Sequence, residues 1–380
     1  MNRAFIGLMS GTSLDGIDGV VVEFADDAAM RSAASMRVVA HAHREFAADL
    51  RQELRSLNRS GVDEIHRSAL AGNALARDCA GLVETLLEKA AQRRCDIVAI
   101  GCHGQTVRHR PGEFDGTGYT VQLNAPALLA ELTGIDVIAD FRSRDVAAGG
   151  QGAPLVPAFH RAIFGRADRT VAVLNLGGIA NLSLLAADGA TTGFDCGPAN
   201  TLLDLWCQRT TGDPFDRGGA IAARGTVDAR LLGVLRAEPY FALMPPKSTG
   251  LDHFNAEWLD ASLARADAAA RLVAADVQAT LAELTASVCA DATHDHGADM
   301  AELVVCGGGA FNIDLMARLR RLLAPTPVVA SSERGLPPDE VEAAAFAWLA
   351  RAFVERTPGN VASVTGAAGA RLLGALYPAG

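Results

Sequence analysis

Lysine is nearly missing from this chain: Lys89 and Lys247 are the only two among 380 residues. Neither sits in a G-x-x-x-x-G-K-[ST] loop, so a Walker-type phosphate cradle is excluded. Long apolar runs are lacking as well. Hydrophobic residues make up 49% of the chain, yet no stretch approaches the roughly 20 uninterrupted apolar residues of a membrane-spanning helix, so the expectation is a soluble protein with no membrane partner. The opening residues enter an apolar strand pattern without a basic segment, a long apolar core or a small-residue cleavage site, and a cytoplasmic location is expected. The seven cysteines (Cys79, Cys95, Cys102, Cys196, Cys207, Cys289 and Cys306) contain no C-x-x-C pair and are odd in number. That speaks against a disulfide framework and a zinc site. Clustered positive charge is absent too: with a formal charge of −10, wrapping a nucleic-acid backbone is disfavoured and a small-molecule partner is expected. Aromatics are only 5%, which with abundant alanine predicts helices packed closely on sheets.

What is present is an alternation of strands and helices. A chain of this length exceeds the size at which one core keeps growing, so two domains of roughly 150 to 200 residues are expected. The opening "FIGLMSGTSLDGIDGVVVEF" holds two apolar strands around a small polar turn, and "RVVAHAH" (37–43) adds a third, a meander whose first loop is a hairpin. Residues 63–93 carry small and apolar positions at helical spacing. "CDIVAIGCHGQT" then reads as a buried strand ending in a glycine turn, and "GIDVIADFR" (134–142) repeats that grammar. At 170–185, "TVAVLNLGGIANLSLL" restarts the opening pattern of strand, glycine turn and strand, which suggests a duplicated fold. Helical stretches at 256–292 and 339–357 flank the strand "ELVVCGGGAF" and complete a second α/β unit.

Three glycine turns follow apolar strands: Gly11 in "SGTSLDG", Gly177 and Gly178 in "NLGGIAN", and Gly307, Gly308 and Gly309 in "CGGGAFN". One such turn alone reads as a tight bend. The set of three reads as phosphate binding, because glycines let backbone N–H groups approach an anion and hydroxyls add neutral donors where lysine is absent. Asp15 and Asp18 in the first turn fit either local turn capping or holding Mg²⁺. Asp195 in "GFDCGPAN" lies between a strand-like and a helix-like run, where it serves as a helix N-cap, as a site residue at a sheet edge, or as both. Asp140 and Arg142 in "IADFRSRD" form either a buried ion pair or a substrate clamp. His103 and Gln105 suit binding more than chemistry. His294 and His296 read as a solvated loop, and the loop holding Lys247 and Ser248 is left open.

The strings "GLMSGTSLDGID", "CHGQT", "QLNAPALLAELTGIDVIADFRSRDVAAGGQGAPLVP", "NLGGIAN", "GFDCGPAN", "RGG" and "PDEVEAAAFAWLA" span nearly the whole chain in order. They resemble the anhydro-N-acetylmuramic acid kinase family, within the superfamily of acetate kinase, sugar kinases, Hsp70 and actin. Cys196 and Ala199 depart from the family string, where Thr and Gly are usual, while Asp195, Gly197, Pro198 and Asn200 keep to it.

The resemblance implies an α/β fold of two duplicated actin-like (ribonuclease H-like) domains, with nucleotide and substrate in an interdomain cleft. The domains are expected at 1–145 plus 358–380 and at 146–357. It implies ATP and Mg²⁺ as cofactors, 1,6-anhydro-N-acetylmuramic acid as substrate, hydrolytic ring opening with phosphorylation of O6, and a role in cell-wall recycling. Asp195 matches the family's base. Residues Gly11, Thr12, Ser13, Leu14, Asp15, Gly16, Ile17 and Asp18 match a nucleotide segment, with Asp15 or Asp18 towards the metal. Gly177 and Gly178 would form a second phosphate loop, and Gly307 to Gly309 would face the adenosine side. His103, Gln105, Asp140, Arg142 and Glu342 would line the sugar pocket. A homodimer is a further expectation. The alternatives are an ordinary sugar kinase of the same fold and an actin-like or Hsp70-like nucleotide switch without catalysis.

Overall fold

The computed structural model describes residues 3–11, 14–25, 36–250, 253–267, 272–297 and 299–380. Two units form along the chain, residues 1–163 with 340–380, and residues 164–339. The first begins with β1 (Arg3–Met9), β2 (Gly16–Phe24), β3 (Met36–Glu45), α1 (Ala48–Ser56), α2 (Glu64–Ala90) and β4 (Ile97–Cys102). It continues through β5 (Gln105–Pro111), β6 (Gly118–Leu123), α3 (Pro126–Thr133), β7 (Val137–Ala139), α4 (Ser143–Val146) and α5 (Val156–Phe164). The second comprises β8 (Thr170–Leu176), β9 (Ile179–Leu185), β10 (Thr191–Pro198), α6 (Asn200–Thr211), α7 (Ala229–Arg236), α8 (Ala256–Arg265), α9 (Ala274–His296), β11 (Met300–Cys306), α10 (Ile313–Leu322) and β12 (Val328–Ala330). The chain then returns to the first unit with α11 (Val341–Val354), α12 (Ala362–Thr365) and β13 (Ala375–Tyr377).

The two main sheets repeat one plan. The first runs β13-β7-β4-β1-β2-β3 and the second β10-β9-β8-β11-β12. In each, three antiparallel strands come first, and the next strand returns parallel beside the opening one: β4 on β1, and β11 on β8. A hydrophobic first hairpin followed by a helical crossover gives that order twice, because a parallel return needs a long connection while an antiparallel one needs only a turn. The duplicated α/β plan expected from the glycine turns is therefore present. β5 and β6 form a separate two-stranded sheet that the sequence pattern did not announce.

Helix α11 carries the alanine signal. It buries Ala343, Ala344, Ala345, Phe346 and Ala347 together with most of its other residues, and it packs on β1 and β4 of the first sheet. Gly7 in β1 and Gly101 in β4 make that approach possible: a Cβ on Gly7 would lie 1.9 Å from the Ala343 carbonyl oxygen, and one on Gly101 would lie 2.1 Å from that of Phe346. This contact moves residues 340–357 into the first unit, although their expected place was the second. Residues 146–163 move with them.

Other boundaries shift for local reasons. The expected helix over 256–292 is two helices, α8 ending near Asp267, whose backbone is left-handed at φ 51°. His294 and His296, expected in a loop, lie in the last turn of α9, where the terminal carbonyls favour a basic side chain. The His296 ring also packs edge-on against Phe194 at 4.9 Å. Strand β7 stops at Ala139 because Asp140 takes a left-handed conformation, φ 57°. Among the described residues no helix is long and apolar enough to cross a membrane.

Candidate active site

In the first unit the opening hairpin turn is tied to the start of β5. Ser10 is buried, its hydroxyl 2.9 Å from Gln105 Oε1 and 3.2 Å from the Gly104 carbonyl. Gln105 Nε2 donates to the Gly11 carbonyl at 3.1 Å and to that of Thr106 at 3.4 Å. Both ends of the Gln105 amide are thus engaged in holding the turn, a task the sequence did not suggest. Leu14 is buried with φ 57°, which bends the chain back towards Gly11, whose carbonyl accepts from the Leu14 N–H at 3.4 Å. Gly16 and Ile17 enter β2 as buried residues. Thr12 and Ser13 lie outside the described residues.

The two aspartates of this turn have different surroundings. Asp15 is exposed, and its carbonyl accepts from the Phe46 N–H and from Arg51 Nη2, both at 3.2 Å. Asp18, on β2, places Oδ1 2.9 Å from His43 Nδ1 and 3.5 Å from His41 Nε2 on the neighbouring strand β3. Among the described residues no group of three or more His, Cys, Asp or Glu is arranged to hold a metal ion.

His103 and Arg142 come together. Arg142 donates from Nε at 3.1 Å and from Nη2 at 2.9 Å towards His103 Nε2, and from Nη1 to the Gly152 carbonyl at 2.8 Å. Burial, helped by the guanidinium, pushes the His103 imidazole down to about 3, so the ring is neutral. With Nε2 accepting, the proton sits on Nδ1, a buried atom for which no partner is found among the described residues. Burial also lowers Arg142 to about 10, against the pull of Glu342 and Asp145, so it stays charged. The expected Asp140–Arg142 ion pair does not form. Asp140 is exposed, and its carboxylate accepts from the Ser143 N–H at 3.4 Å at the start of α4.

Asp145 has no forerunner in the sequence pattern. It is fully buried and accepts from Asn360 Nδ2 at 2.6 Å, Thr365 Oγ1 at 2.8 Å and the Gly152 N–H at 2.8 Å. Three donors converging on a buried carboxylate satisfy it without a cation, and they fasten the turn whose Gly152 carbonyl receives Arg142. Two of these partners, Asn360 and Thr365, stand more than two hundred positions away in sequence, so no local signal marks them.

In the second unit, the Gly177–Gly178 tip between β8 and β9 docks on the start of α6. The Gly178 carbonyl accepts from the N–H groups of Ala199 at 3.0 Å and Thr201 at 3.2 Å, and the Gly177 carbonyl accepts from that of Asn200 at 3.0 Å. These bonds satisfy first-turn donors that would otherwise be orphans, so Asp195 is not the cap of α6. A Cβ on Gly177 would meet nothing of the chain closer than 3.7 Å, whereas one on Gly307, where φ is +78°, would lie 2.4 Å from Asn175 Oδ1. Packing of the chain's own atoms demands glycine at Gly307 but not at Gly177.

Asp195 sits on β10, the edge strand, at a bulge between Asp195 and Gly197. Its N–H donates to the Lys247 carbonyl at 3.2 Å, and its own carbonyl accepts from the Tyr240 hydroxyl at 2.8 Å. The carboxylate accepts from the Thr249 N–H through Oδ2 at 3.0 Å. Burial pushes the Asp195 carboxyl up to about 6, with the Thr249 N–H and Lys247 working in the opposite direction. A carboxylate with a raised pKa, partly buried and held by one amide, is equipped to take a proton near neutral pH. Tyr240 and Thr249 are residues that sequence reasoning missed; only the proline-flanked loop around Lys247 had drawn notice.

Two α/β units that repeat one strand plan, a glycine turn after the first strand of each, and an edge-strand carboxylate held by one amide make up the candidate site. The family model for anhydro-N-acetylmuramic acid kinase matches residues 3–379. The chain is 61% identical over 380 residues to the anhydro-N-acetylmuramic acid kinase of Variovorax paradoxus, covering 99% of both chains. It is 55% identical over 399 residues to that of Albidiferax ferrireducens, covering 100% of both. The solved structure of the activator of 2-hydroxyisocaproyl-CoA dehydratase from Clostridium difficile with bound ADPNP aligns over 94% of this chain and 96% of its own, at 13% identity and a TM-score of 0.47. The chain belongs to the anhydro-N-acetylmuramic acid kinase family.

Proposed function

We propose that this protein opens 1,6-anhydro-N-acetylmuramic acid with water and phosphorylates the oxygen released, giving N-acetylmuramic acid 6-phosphate for cell-wall recycling. Asp195 takes a proton from water as the water oxygen bonds to C1. The C1–O6 bond breaks with its electron pair on O6, and O6 displaces ADP from the γ-phosphorus of ATP. Charge leaving the sugar passes to the phosphoryl group, so no separate acid is required. The observation that carries this reading is the Asp195 carboxyl raised to about 6 while one of its oxygens is anchored by Thr249. The anhydro-sugar incubated with ATP in ¹⁸O-labelled water is expected to give product labelled at the anomeric oxygen. An unlabelled phosphorylated sugar would instead indicate an ordinary kinase acting on a free hydroxyl, and sugar-independent ATP turnover a nucleotide switch.

In the same reading, His103 and Arg142 meet the sugar, with the guanidinium suited to its lactyl carboxylate. Glu342 stands electrostatically close to Arg142, and Asp140 is exposed beside it in sequence. Gln105 holds the first phosphate loop. Mg²⁺ would neutralise phosphate charge when bound. Asp15, exposed at the hairpin turn, or Asp18, whose carboxylate faces two imidazoles, would hold it. A cytoplasmic homodimer belongs to the proposal, the assembly being checked by sedimentation.

Gly177 is the test of the lysine-free phosphate cradle. Because a Cβ there meets only ordinary contacts, Gly177→Ala is expected to change stability by less than about 1 kcal/mol. If a phosphate approaches that backbone, the same methyl raises the KM for ATP at least about tenfold, equivalent to ~1.4 kcal/mol. Steady-state kinetics against urea unfolding separates the two effects.

The pH dependence has a defined sign. Turnover needs Asp195 ionised, so kcat falls about tenfold per unit below pH 6 and levels off above it. Stability moves the other way. Between the unfolded carboxyl pKa of about 3.9 and the folded value of about 6, the native state holds more protons, so this group's contribution declines as pH rises through that window. Pre-steady-state rates and denaturant midpoints over pH 4–8 check both slopes.

A further inference from the structure

We infer that Thr249 and Lys247 are positioning residues for Asp195, the Thr249 amide fixing Oδ2 so that Oδ1 receives the proton, while the Lys247 ammonium is held off the carboxylate. The inference rests on the assignment of Asp195 as base. Its ground is geometric. β10 is the edge of its sheet, and the segment 247–249 lies along the open edge: Asp195 N–H reaches the Lys247 carbonyl at 3.2 Å, and Thr249 N–H reaches Asp195 Oδ2 at 3.0 Å. The Tyr240 hydroxyl fixes the Asp195 carbonyl from the start of the same loop. Backbone and side chain are thus pinned on both sides, and a carboxylate with one oxygen anchored presents the other in a fixed direction, as proton abstraction requires.

Lys247 is placed with equal care. A direct ion pair would stabilise the carboxylate and weaken it as a base. Instead Nζ donates to the carbonyls of Phe241 at 3.2 Å and Tyr240 at 3.4 Å, and it stands 5.0 Å from the Tyr240 ring centre and 5.8 Å from that of Phe194. Its charge therefore acts on Asp195 at longer range, enough to favour ionisation without quenching basicity. Among the described residues the other titratable groups facing Asp195 are Tyr240 and Cys196. Beyond them, His253 contacts Thr249 Oγ1 at 3.3 Å and Glu238 at 3.3 Å, and Asp295 acts on Lys247. Among the described residues no hydrogen bond or ion pair joins any of these to the carboxylate, and Lys247 is the lever on its ionisation that the two lysine variants test.

The test uses the full-length protein with the anhydro-sugar and ATP, reading kcat and KM against pH. Lys247→Met is expected to move the acid limb of kcat to higher pH, and Lys247→Arg to restore it towards the wild-type position. Thr249→Pro, which lacks the N–H, is expected to lower kcat on the order of 10²-fold with KM for the sugar little changed, and Thr249→Ala, which keeps the amide, to lose less. If Thr249→Pro does not fold by circular dichroism, the two lysine variants decide. A limb that stays put in folded Lys247→Met, or a folded Thr249→Pro with wild-type kcat, overturns the inference. Wild-type product lacking ¹⁸O at the anomeric position overturns the proposed function instead, so the two failures are told apart.

Discussion

Asp195→Asn is expected to bind ATP and the anhydro-sugar with near-native affinity and to turn over about 10³-fold more slowly. General-base catalysis typically contributes 10²- to 10⁴-fold, and the amide is a near-isostere whose oxygen can still accept from the Thr249 N–H. The Lys247 and Tyr240 bonds to the Asp195 backbone are unaffected by the change. What disappears is the basic oxygen. The same replacement is expected to stabilise the protein at pH 8, because it removes a charge that burial disfavours, as the raised pKa shows. A site residue whose loss raises stability while destroying activity is doing costly work for function and not for folding. Isothermal titration, single-turnover rates and urea midpoints measure the three quantities. Turnover within a few fold of wild type would remove Asp195 from the role of base.

Gly7→Val is expected to have the largest effect on folding. The Cβ position at Gly7 lies 1.9 Å from the Ala343 carbonyl oxygen, 2.7 Å from the Ala347 nitrogen and 2.9 Å from the Ala343 carbonyl carbon. All three are backbone atoms of a buried helix, so no side chain can turn away to make room, and α11 would have to lift from β1. Overpacking of a core commonly costs about 1–3 kcal/mol. With backbone as the obstacle, the cost here is expected at about 3 kcal/mol or more. Gly101→Val repeats the conflict on β4, where Phe346 is the obstacle at 2.1 Å. Gly233 gives the opposite result. It is exposed within α7 and nothing lies within 4 Å of its Cβ position, so Gly233→Ala is expected to stabilise by up to about 1 kcal/mol through helix propensity. Urea unfolding of the three variants, followed by circular dichroism, tests the contrast; a Gly7→Val protein as stable as wild type would show that α11 does not approach β1 in this way.

Much of this architecture was legible because it is written in local pattern. The hairpin β1–β2 follows from two apolar runs with a small polar turn between them, and β8–β9 repeats it around Gly177 and Gly178. Helix α2 occupies 64–90, close to the spacing of Ala76, Cys79, Val83 and Leu86. The β5–β6 hairpin was missed because polar residues such as Arg108, His109 and Arg110 interrupt its alternation. Within the candidate site, Asp195 could be singled out by the glycine and proline that follow it. Gln105, by contrast, gave no local sign that its amide closes on Ser10 and Gly11.

From sequence alone came the exclusion of a Walker-type cradle, the doubled α/β plan and the family resemblance that points to Asp195, because each depends on residue type and near neighbours. Only the tertiary structure assigned α11 to the first sheet, set His103 against Arg142, and brought Tyr240 and Thr249 to Asp195 from 45 and 54 positions away. The reason is physical: an amphipathic pattern says that a face will be buried but not against which partner, and the basicity of a carboxylate is set by the water and the donors that surround it after folding.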